Sequence, residues 1–183
     1  RLTTFGRAES LDALGAIDWL KKRDDIDAGK IGVYGASMGA VTAIYAAAEM
    51  PTLACAVADS AYAIYDAQVE FELEREGSRM KFSPRWRKIV SRMFLMFEPL
   101  IIGKWASMPD PVEKIRDIKC PLFLIHGDSD GRIKPENLDM LAEAASDAGI
   151  PLRTWKVEND GHCTYLGSEE YYRRVITFFR EYL

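Results

Sequence analysis

The apolar residues of this chain fall into two patterns along the sequence. Over residues 9–23 they recur every three or four positions, which predicts an amphipathic helix. Short continuous apolar runs form the second pattern, and such runs are typical of strands that are buried on both faces of a parallel sheet. These runs lie at 31–34, 53–58 and 121–125, with a weaker one at 152–157.

Helical patterns follow three of these four runs. Residues 38–49 form an alanine-rich segment with high helix propensity, and Pro51 follows it. Two later segments, 135–148 and 169–182, begin with a proline or with acidic residues, which favour helix N-termini. Because strands and helices alternate, the sequence predicts an α/β fold with a mostly parallel sheet and helices on both faces.

One long segment interrupts this alternation. Residues 62–119 contain no obvious buried strand, and the segment far exceeds the roughly 2 to 6 residues that usually join a strand to a helix. We interpret it as an inserted helical cap between two parts of one domain, residues 1–61 and 120–183. The cap mixes basic residues with large apolar ones such as Trp86 and Phe97. Its apolar side either packs on the domain or forms a substrate channel or a membrane-facing surface.

Composition and charge narrow the class of protein. With 183 residues, of which 48% are hydrophobic and 28% charged, the chain is about one ordinary globular domain. A net charge of -4 gives no general attraction to nucleic acid, so we expect no nucleic-acid partner. Cys55, Cys120 and Cys163 form no close pair, which disfavours a disulfide scaffold or a zinc site. We therefore expect neither a metal nor a cofactor.

The segment Gly35-Ala36-Ser37-Met38-Gly39 joins a predicted strand to a predicted helix. In that context G-x-S-x-G is typical of a nucleophile elbow, which lifts the serine out of the sheet on a strained turn. The flanking glycines remove side chains that would collide with the neighbouring strand and helix. The backbone N–H of Met38, at the start of the helix, becomes one donor to the oxyanion. Alone, the motif would equally fit a glycine-rich turn, but its context favours Ser37 as nucleophile.

A serine nucleophile needs a histidine base, and the chain has two histidines. His162 lies in a polar, glycine-containing loop after the last predicted strand, where open α/β sheets carry their functional groups. His126 instead ends an apolar run and precedes Gly127. We predict that His162 is the general base and that His126 is a hydrogen-bonded structural residue.

The carboxylate that orients the base should come from the loop between the last two strands, in the chain order Ser, Asp, His. That loop contains both Asp128 and Asp130. Either carboxylate could reach an N–H of His162 across the sheet edge, and either could simply satisfy the backbone of an Asp- and Gly-rich turn. The residues by themselves leave the choice open.

These motifs, in this order, resemble those of the α/β-hydrolase superfamily. G-A-S-M-G, then H-G-D-S-D with a proline five residues further on, then D-G-H are most similar to the prolyl-oligopeptidase-like and serine-aminopeptidase-like hydrolases and to bacterial esterases. In that branch the last Asp of H-G-x-x-D is the triad acid, so the resemblance implies Asp130. It also implies a serine hydrolase that acts on a small-molecule or peptide acyl substrate, with Ser37, His162 and Asp130 as its catalytic triad.

The resemblance also implies that the chain is a C-terminal portion. Members of this family normally have four further strands before the first helix seen here, and a loop among them supplies the second oxyanion donor. The strand at 31–34 would then lack its usual neighbour, and a bare edge on a buried strand promotes aggregation. We expect the edge to be covered by the missing N-terminal half, as a separate or cleaved chain, or by a homodimer partner.

Two other functions remain open from the sequence. The first is a catalytically silent binding or interaction domain on the same fold, because a fold does not fix a function. The second is a thiol-dependent enzyme built on Cys163, which lies beside the predicted base rather than on a strained elbow. No residue pattern indicates a compartment, so cytoplasm is only the default.

Overall fold

A parallel sheet with helices on both faces organises the chain, as a computed structural model that describes residues 4–103 and 107–183 shows. In chain order the elements are α1 (Ser10–Leu20), β1 (Gly32–Ala36), α2 (Met38–Glu49), β2 (Cys55–Asp59), α3 (Tyr65–Arg79), α4 (Pro84–Ile102), α5 (Pro111–Lys114), β3 (Leu122–Gly127), α6 (Glu136–Asp147), β4 (Leu152–Val157) and α7 (Glu169–Tyr182). A short 3-10 turn, Ile115–Asp117, follows α5. The strands lie in the order β1-β2-β3-β4, and each is parallel to the next.

The two central strands, β2 and β3, are buried along their whole length. Successive side chains of a strand point to opposite faces of the sheet. Ala56 and Ala58 of β2 accordingly join the core that α2 and α6 cover, while Cys55 and Val57 join the core on the other face. Both faces need apolar side chains, which explains the continuous apolar runs. The predicted α/β architecture is confirmed.

Helix α7 closes the second face of the sheet. Its residues Val175 and Phe178 pack with Phe123 and Ile125 of β3, and the ring centroids of Phe123 and Phe178 are 5.3 Å apart. The opposite side of α7 is exposed, as Ile176 shows. The helix therefore depends on one apolar stripe for its position.

Strand β1 extends two residues beyond the predicted run at 31–34. Gly35 and Ala36 still pair with Ala58 and Asp59 of β2, although the sequence pattern treats Gly35 as the end of the strand. The extension matters because it carries the sheet ladder up to the residue before Ser37. Local composition does not reveal this pairing, since the partner strand is about twenty residues away in the chain.

Helices α3 and α4 lie within the predicted cap segment, 62–119, and pack against each other. Their contact is close at Gly77, where an added Cβ would lie 2.7 Å from Cγ of Arg87. The same segment also contains α5, which contacts the core helices α2 and α6. The division of the chain at residues 62 and 119 stays a prediction. Of the helices within residues 4–103 and 107–183, none is long and apolar enough to cross a membrane.

Truncation of Phe178 tests how α7 is held. We expect Phe178→Ala to lower the free energy of unfolding by about 3–5 kcal/mol, because it removes a buried ring and leaves a cavity against β3. Ile176→Ala is the matched control on the exposed side of the same helix, with an expected change within about 0.5 kcal/mol. Urea unfolding followed by circular dichroism measures both, and equal losses would contradict this packing of α7.

Candidate active site

Ser37 occupies the single position between β1 and α2. Its backbone has φ 56° and ψ -122°, a left-handed conformation that costs a residue with a side chain about 1–3 kcal/mol. Hydrogen bonds fix it on both sides. The N–H of Ser37 donates to the carbonyl of Asp59 over 2.8 Å, and the carbonyl of Ser37 accepts from the N–H of Ala40 over 2.9 Å. The sheet and the helix therefore hold the serine in the strained turn that an elbow requires.

The two glycines of the motif have different environments. A Cβ on Gly35 would lie 1.9 Å from the carbonyl oxygen of Gly39, so no side chain fits where β1 turns into α2. A Cβ on Gly39 would meet no heavy atom within 4 Å among the described residues. The expectation that both glycines prevent collisions is thus met at Gly35, while within this part of the chain nothing crowds Gly39.

The structure brings Ser37, His162 and Asp130 together at the carboxyl ends of β1, β4 and β3. Nε2 of His162 lies 2.8 Å from Oγ of Ser37, and Nδ1 lies 2.7 Å from Oδ2 of Asp130. An ionised carboxylate only accepts hydrogen bonds. Nδ1–H therefore donates to Asp130, which leaves Nε2 to accept from the serine hydroxyl. This tautomer allows His162 to remove a proton from Ser37.

Asp130 is almost fully buried, yet its surroundings favour the charged form. Its Oδ1 accepts from the backbone N–H groups of Arg132 and Ile133, over 2.8 Å and 3.0 Å. Burial alone would raise the pKa of Asp130. Hydrogen bonds from His126, His162 and these two N–H groups outweigh burial and hold the pKa well below the usual value for an aspartate. The carboxylate thus stays ionised beside His162.

Asp128, the other candidate acid, lies apart from the imidazole. It is exposed, and its Oδ1 accepts from the hydroxyl of Ser129 over 2.9 Å. His126 is buried and makes the hydrogen bonds that the sequence led us to expect, with Nε2 3.0 Å from the carbonyl of Ile133. The same Nε2 lies 3.3 Å from Oδ2 of Asp130, a contact that sequence reasoning missed. Both neighbours are acceptors, so Nε2–H of His126 donates to them.

Gly127 is a second residue whose role the sequence did not reveal. A Cβ there would lie 2.4 Å from the carbonyl oxygen of Asp160 and 2.5 Å from that of Gly161. The backbone N–H of Ser129 also donates to the carbonyl of Asp160 over 2.9 Å. The loop after β3 and the loop after β4 are therefore packed backbone to backbone. The only sequence signal was a glycine close to the end of a buried apolar run.

A buried polar cluster ties the histidine loop to β2. The hydroxyl of Tyr165, three residues after His162, donates to Asp59, and the hydroxyl of Ser60 donates to the same carboxylate oxygen over 3.0 Å. Burial raises the pKa of Asp59, although hydrogen bonds from Tyr165, Tyr171 and Ser60 oppose the shift. Sequence reasoning missed this cluster, because Asp59 and Tyr165 are distant in the chain.

Cys163 does not have the environment of a reactive thiol. Burial raises the pKa of its thiol, against an opposing hydrogen bond with Ser60. A raised pKa leaves less of the thiolate that reacts. Cys163 also has a positive φ, 55°, which the sequence did not lead us to expect. Nε2 of His162 nevertheless bonds to Ser37 and not to Cys163, which argues against the thiol-dependent enzyme.

A cavity of about 390 Å³ opens beside Ser37 and His162. Most of its wall is apolar and comes from the N-terminal segment, from the start of the predicted cap, and from α3 and α4. Polar groups on the wall belong to Gln68, Glu72 and Arg132. Met38 also lines the cavity, so the first turn of α2 faces the space beside the serine. The apolar wall residues are Phe5, Tyr62, Tyr65, Val69, Leu73, Phe94 and Ile133.

Comparison with known proteins shows which family the chain matches and how much of a relative's length it spans. The profile of the prolyl oligopeptidase family matches residues 3–183. The uncharacterized protein YqkD of Bacillus subtilis strain 168 is 30% identical over 182 residues, which cover 98% of this chain and 56% of that protein. This chain thus spans a little over half the length of that relative.

Solved structures share the fold. The esterase Pf2001 of Pyrococcus furiosus is 27% identical, with a TM-score of 0.72 over 100% of this chain and 65% of its own. Dipeptidyl peptidase 4 of Porphyromonas gingivalis is 21% identical, with a TM-score of 0.71 over 97% of this chain and 23% of its own. The acylaminoacyl peptidase of Pyrococcus horikoshii is 17% identical, with a TM-score of 0.69 over 96% and 28%. The last two similarities concern the fold alone.

The unequal glycines of the elbow can be tested by a pair of alanine variants. Gly35→Ala forces a Cβ into the backbone of α2, and we expect it to lower the free energy of unfolding by about 1–3 kcal/mol or more. Gly39→Ala lies in open space on a helix, and we expect no loss and up to about 1 kcal/mol of gain. Thermal and urea unfolding of the two variants measure the difference, and equal behaviour would refute the steric role of Gly35.

Proposed function

The chain belongs to the prolyl oligopeptidase family, and we propose that it is a serine hydrolase that cleaves an ester or amide through an acyl-enzyme. The observation that carries this proposal is the chain of hydrogen bonds from Ser37 through His162 to Asp130. The strained backbone of Ser37 supports it independently, because such strain persists only where the surrounding structure enforces it.

In the proposed reaction the hydroxyl oxygen of Ser37 attacks the substrate carbonyl while Nε2 of His162 takes the hydroxyl proton. The imidazolium that forms is stabilised by the carboxylate of Asp130, which remains ionised. His162 then gives the proton to the leaving alcohol or amine as the acyl–oxygen or acyl–nitrogen bond breaks. In the second half a water molecule loses a proton to Nε2 of His162 and attacks the acyl carbon. His162 then returns that proton to Oγ of Ser37 as the acyl–Oγ bond breaks, which releases the acid and restores the serine hydroxyl.

The oxyanion of each tetrahedral intermediate needs donors that are fixed in advance. We assign one donor to the backbone N–H of Met38, at the start of α2, where the helix dipole also favours negative charge. Oxyanion holes of this fold take a second N–H from another loop. The absence of one donor typically lowers kcat about 100- to 1000-fold. The rate of this reaction therefore depends on whether a second donor is in place.

The cavity beside Ser37 supports an acyl substrate with an apolar group of moderate size. Its aromatic and aliphatic wall suits an acyl chain or an apolar side chain. Arg132 adds a cationic group at the wall that could meet a carboxylate or phosphate on the substrate. A carboxylate oxygen of Glu72 lies 3.9 Å from Nε of Arg132 and partly neutralises its positive charge. We therefore favour the apolar group as the main determinant of binding.

Covalent labelling with a fluorophosphonate tests the proposed triad. We expect the probe to add its mass at Ser37, with no labelling of Ser37→Ala and very slow labelling of His162→Ala, because the serine needs a base. Peptide mass spectrometry identifies the site. A well-folded protein that is not labelled would be a silent binding domain, and labelling at Cys163 would restore the thiol-dependent alternative.

The choice between the two aspartates needs a matched pair of variants. Asp130→Asn keeps the shape of the side chain but removes the charge that fixes the His162 tautomer. We expect the hydrolysis rate of an activated ester to fall by about 10,000-fold. Asp128→Asn removes an exposed charge in the same loop and should leave the rate nearly unchanged. The reverse order would overturn the assignment of Asp130.

We also propose that a further strand covers the outer edge of β1, from the rest of a longer chain or from a second copy. Within the described residues β1 pairs only with β2. The N–H of Ser37 and the carbonyl of Ile31 bond to the β2 side. Since these directions alternate along a strand, the backbone groups of Gly32, Tyr34 and Ala36 point to the outer edge.

Amide hydrogen exchange, combined with light scattering, tests the covered edge. We expect the N–H groups of Tyr34 and Ala36 to be as well protected as that of Val33, which points to β2. A protein of 20.7 kDa should then run as a dimer or together with another chain. A stable, soluble monomer with rapid exchange at Tyr34 and Ala36 would contradict the proposal.

A further inference from the structure

Helix α4 exposes an apolar face to solvent. At 100° per residue, its nine exposed apolar side chains fall within about 160° of the helix circumference. They are exposed between 36% at Ile89 and 82% at Leu100. Such a continuous patch is large for the surface of a soluble domain and marks an interaction site. The nine residues, hereafter the outer face of α4, are Trp86, Ile89, Val90, Met93, Phe94, Met96, Phe97, Leu100 and Ile101.

The contacts on the inner side of α4 show that the helix is not simply rotated so that a core-facing side points to solvent. The fully buried residues of the helix are Ser91 and Glu98. The hydroxyl of Tyr65 on α3 donates to Glu98, and the hydroxyl of Ser91 donates to the carbonyl of Arg87 over 3.1 Å. These polar groups are satisfied by α3 and by the helix itself, and Leu95 on the same side packs against the hydrophobic core. The orientation of α4 is therefore fixed by contacts that leave its apolar residues outside.

A basic edge borders the outer face. Arg85, Lys88 and Arg92 are exposed and fall within about 60° of each other around the helix. None of the three forms an ion pair with a residue in the part of the chain that the structure describes. The exposed carboxylates of this helical pair all lie on α3, at Asp66, Glu70, Glu74 and the half-exposed Glu76. Helix α4 thus presents exposed positive charge without a counter-charge of its own.

We propose that the outer face of α4 docks on an anionic lipid bilayer, with the helix parallel to the surface. Apolar side chains would enter the boundary between headgroups and acyl chains, and the basic edge would contact anionic headgroups. The net charge of -4 does not prevent this docking, because charges further than about 8 Å away are largely screened at physiological salt. A second copy of the helix is a less suitable partner, because its own basic edge would repel the first.

Docking would also bring the bilayer to the cavity. Phe94 belongs to the outer face of α4 and lines the cavity beside Ser37. A substrate with an apolar acyl group could then reach the site from the lipid phase without crossing water. The docking itself does not require the proposed chemistry, so it can be tested on Ser37→Ala protein as well.

Vesicle flotation is the experiment. We expect the protein to float with vesicles of phosphatidylcholine mixed with phosphatidylserine, and much less with phosphatidylcholine alone or at high salt. Tryptophan fluorescence should shift to the blue on binding, and the shift should be smaller in Trp86→Phe, which removes one of the four tryptophans. Ser37→Ala should bind like the wild type, which separates failure of docking from failure of catalysis.

Matched variants decide whether α4 is the contact. We expect Arg85→Gln/Lys88→Gln/Arg92→Gln to lower the partition coefficient by about 100-fold. Lys22→Gln/Lys30→Gln/Lys119→Gln removes the same charge from exposed sites elsewhere and should have little effect. Phe97→Gln/Leu100→Gln should also reduce flotation, with Ile176→Gln on α7 as its control.

Three results would overturn the docking. One is a wild-type protein that does not float with anionic vesicles. Another is equal flotation of the α4 triple variant and its control. The third is self-association without flotation, detected by light scattering and abolished by Phe97→Gln/Leu100→Gln, which would make the outer face of α4 a contact between copies of the chain.

Discussion

The strained backbone of Ser37 is the constraint on which the rest of the site depends. A serine at φ 56° is stable only because hydrogen bonds hold it on both sides. Its N–H makes the last hydrogen bond between β1 and β2, and its carbonyl accepts the first hydrogen bond of α2. Gly35 makes this turn sterically feasible, since a Cβ there would collide with Gly39. The Ser37 hydroxyl is thus positioned by main-chain hydrogen bonds of the sheet and helix, which form only when the domain folds.

His162 and Asp130 are held by the same sheet, through contacts between residues that are far apart in sequence. His162 reaches Ser37 because its loop packs on Gly127 and is anchored on Asp59 through Tyr165. Asp130 stays ionised although it is buried, because two backbone N–H groups and two imidazoles donate to it. Burial strengthens these bonds while it excludes water. Stability of the fold and the geometry of the site therefore have common causes.

Sequence patterns predicted the main elements and pointed to Ser37 and His162, and the family resemblance pointed to Asp130. They did not predict the contacts that orient these three side chains, whose catalytic roles stay a proposal. Helix 38–49, strand 152–157 and helix 169–182 match the observed bounds, because each is specified by local propensity and apolar spacing. The contact of His126 with Asp130 and the anchor from Asp59 to Tyr165 depend on how strands pair. The exposed outer face of α4 was similarly ambiguous, since an amphipathic pattern does not say which side faces the protein.

Different parts of the structure hold Ser37, His162 and Asp130 and form the wall of the neighbouring cavity. His162 is fixed by contacts with β2 and β3, whereas α3 and α4 supply much of the cavity wall. Helix α3 also touches the acid loop, because the side-chain amide of Gln68 donates to the carbonyl of Arg132 over 2.8 Å. Changes in α3 should therefore reach Asp130. Helix α4 meets the cavity through Phe94 and has no such hydrogen bond to the acid loop among the described residues. Helix α4 can therefore adapt to a substrate or a surface with less direct effect on Asp130 than α3 can.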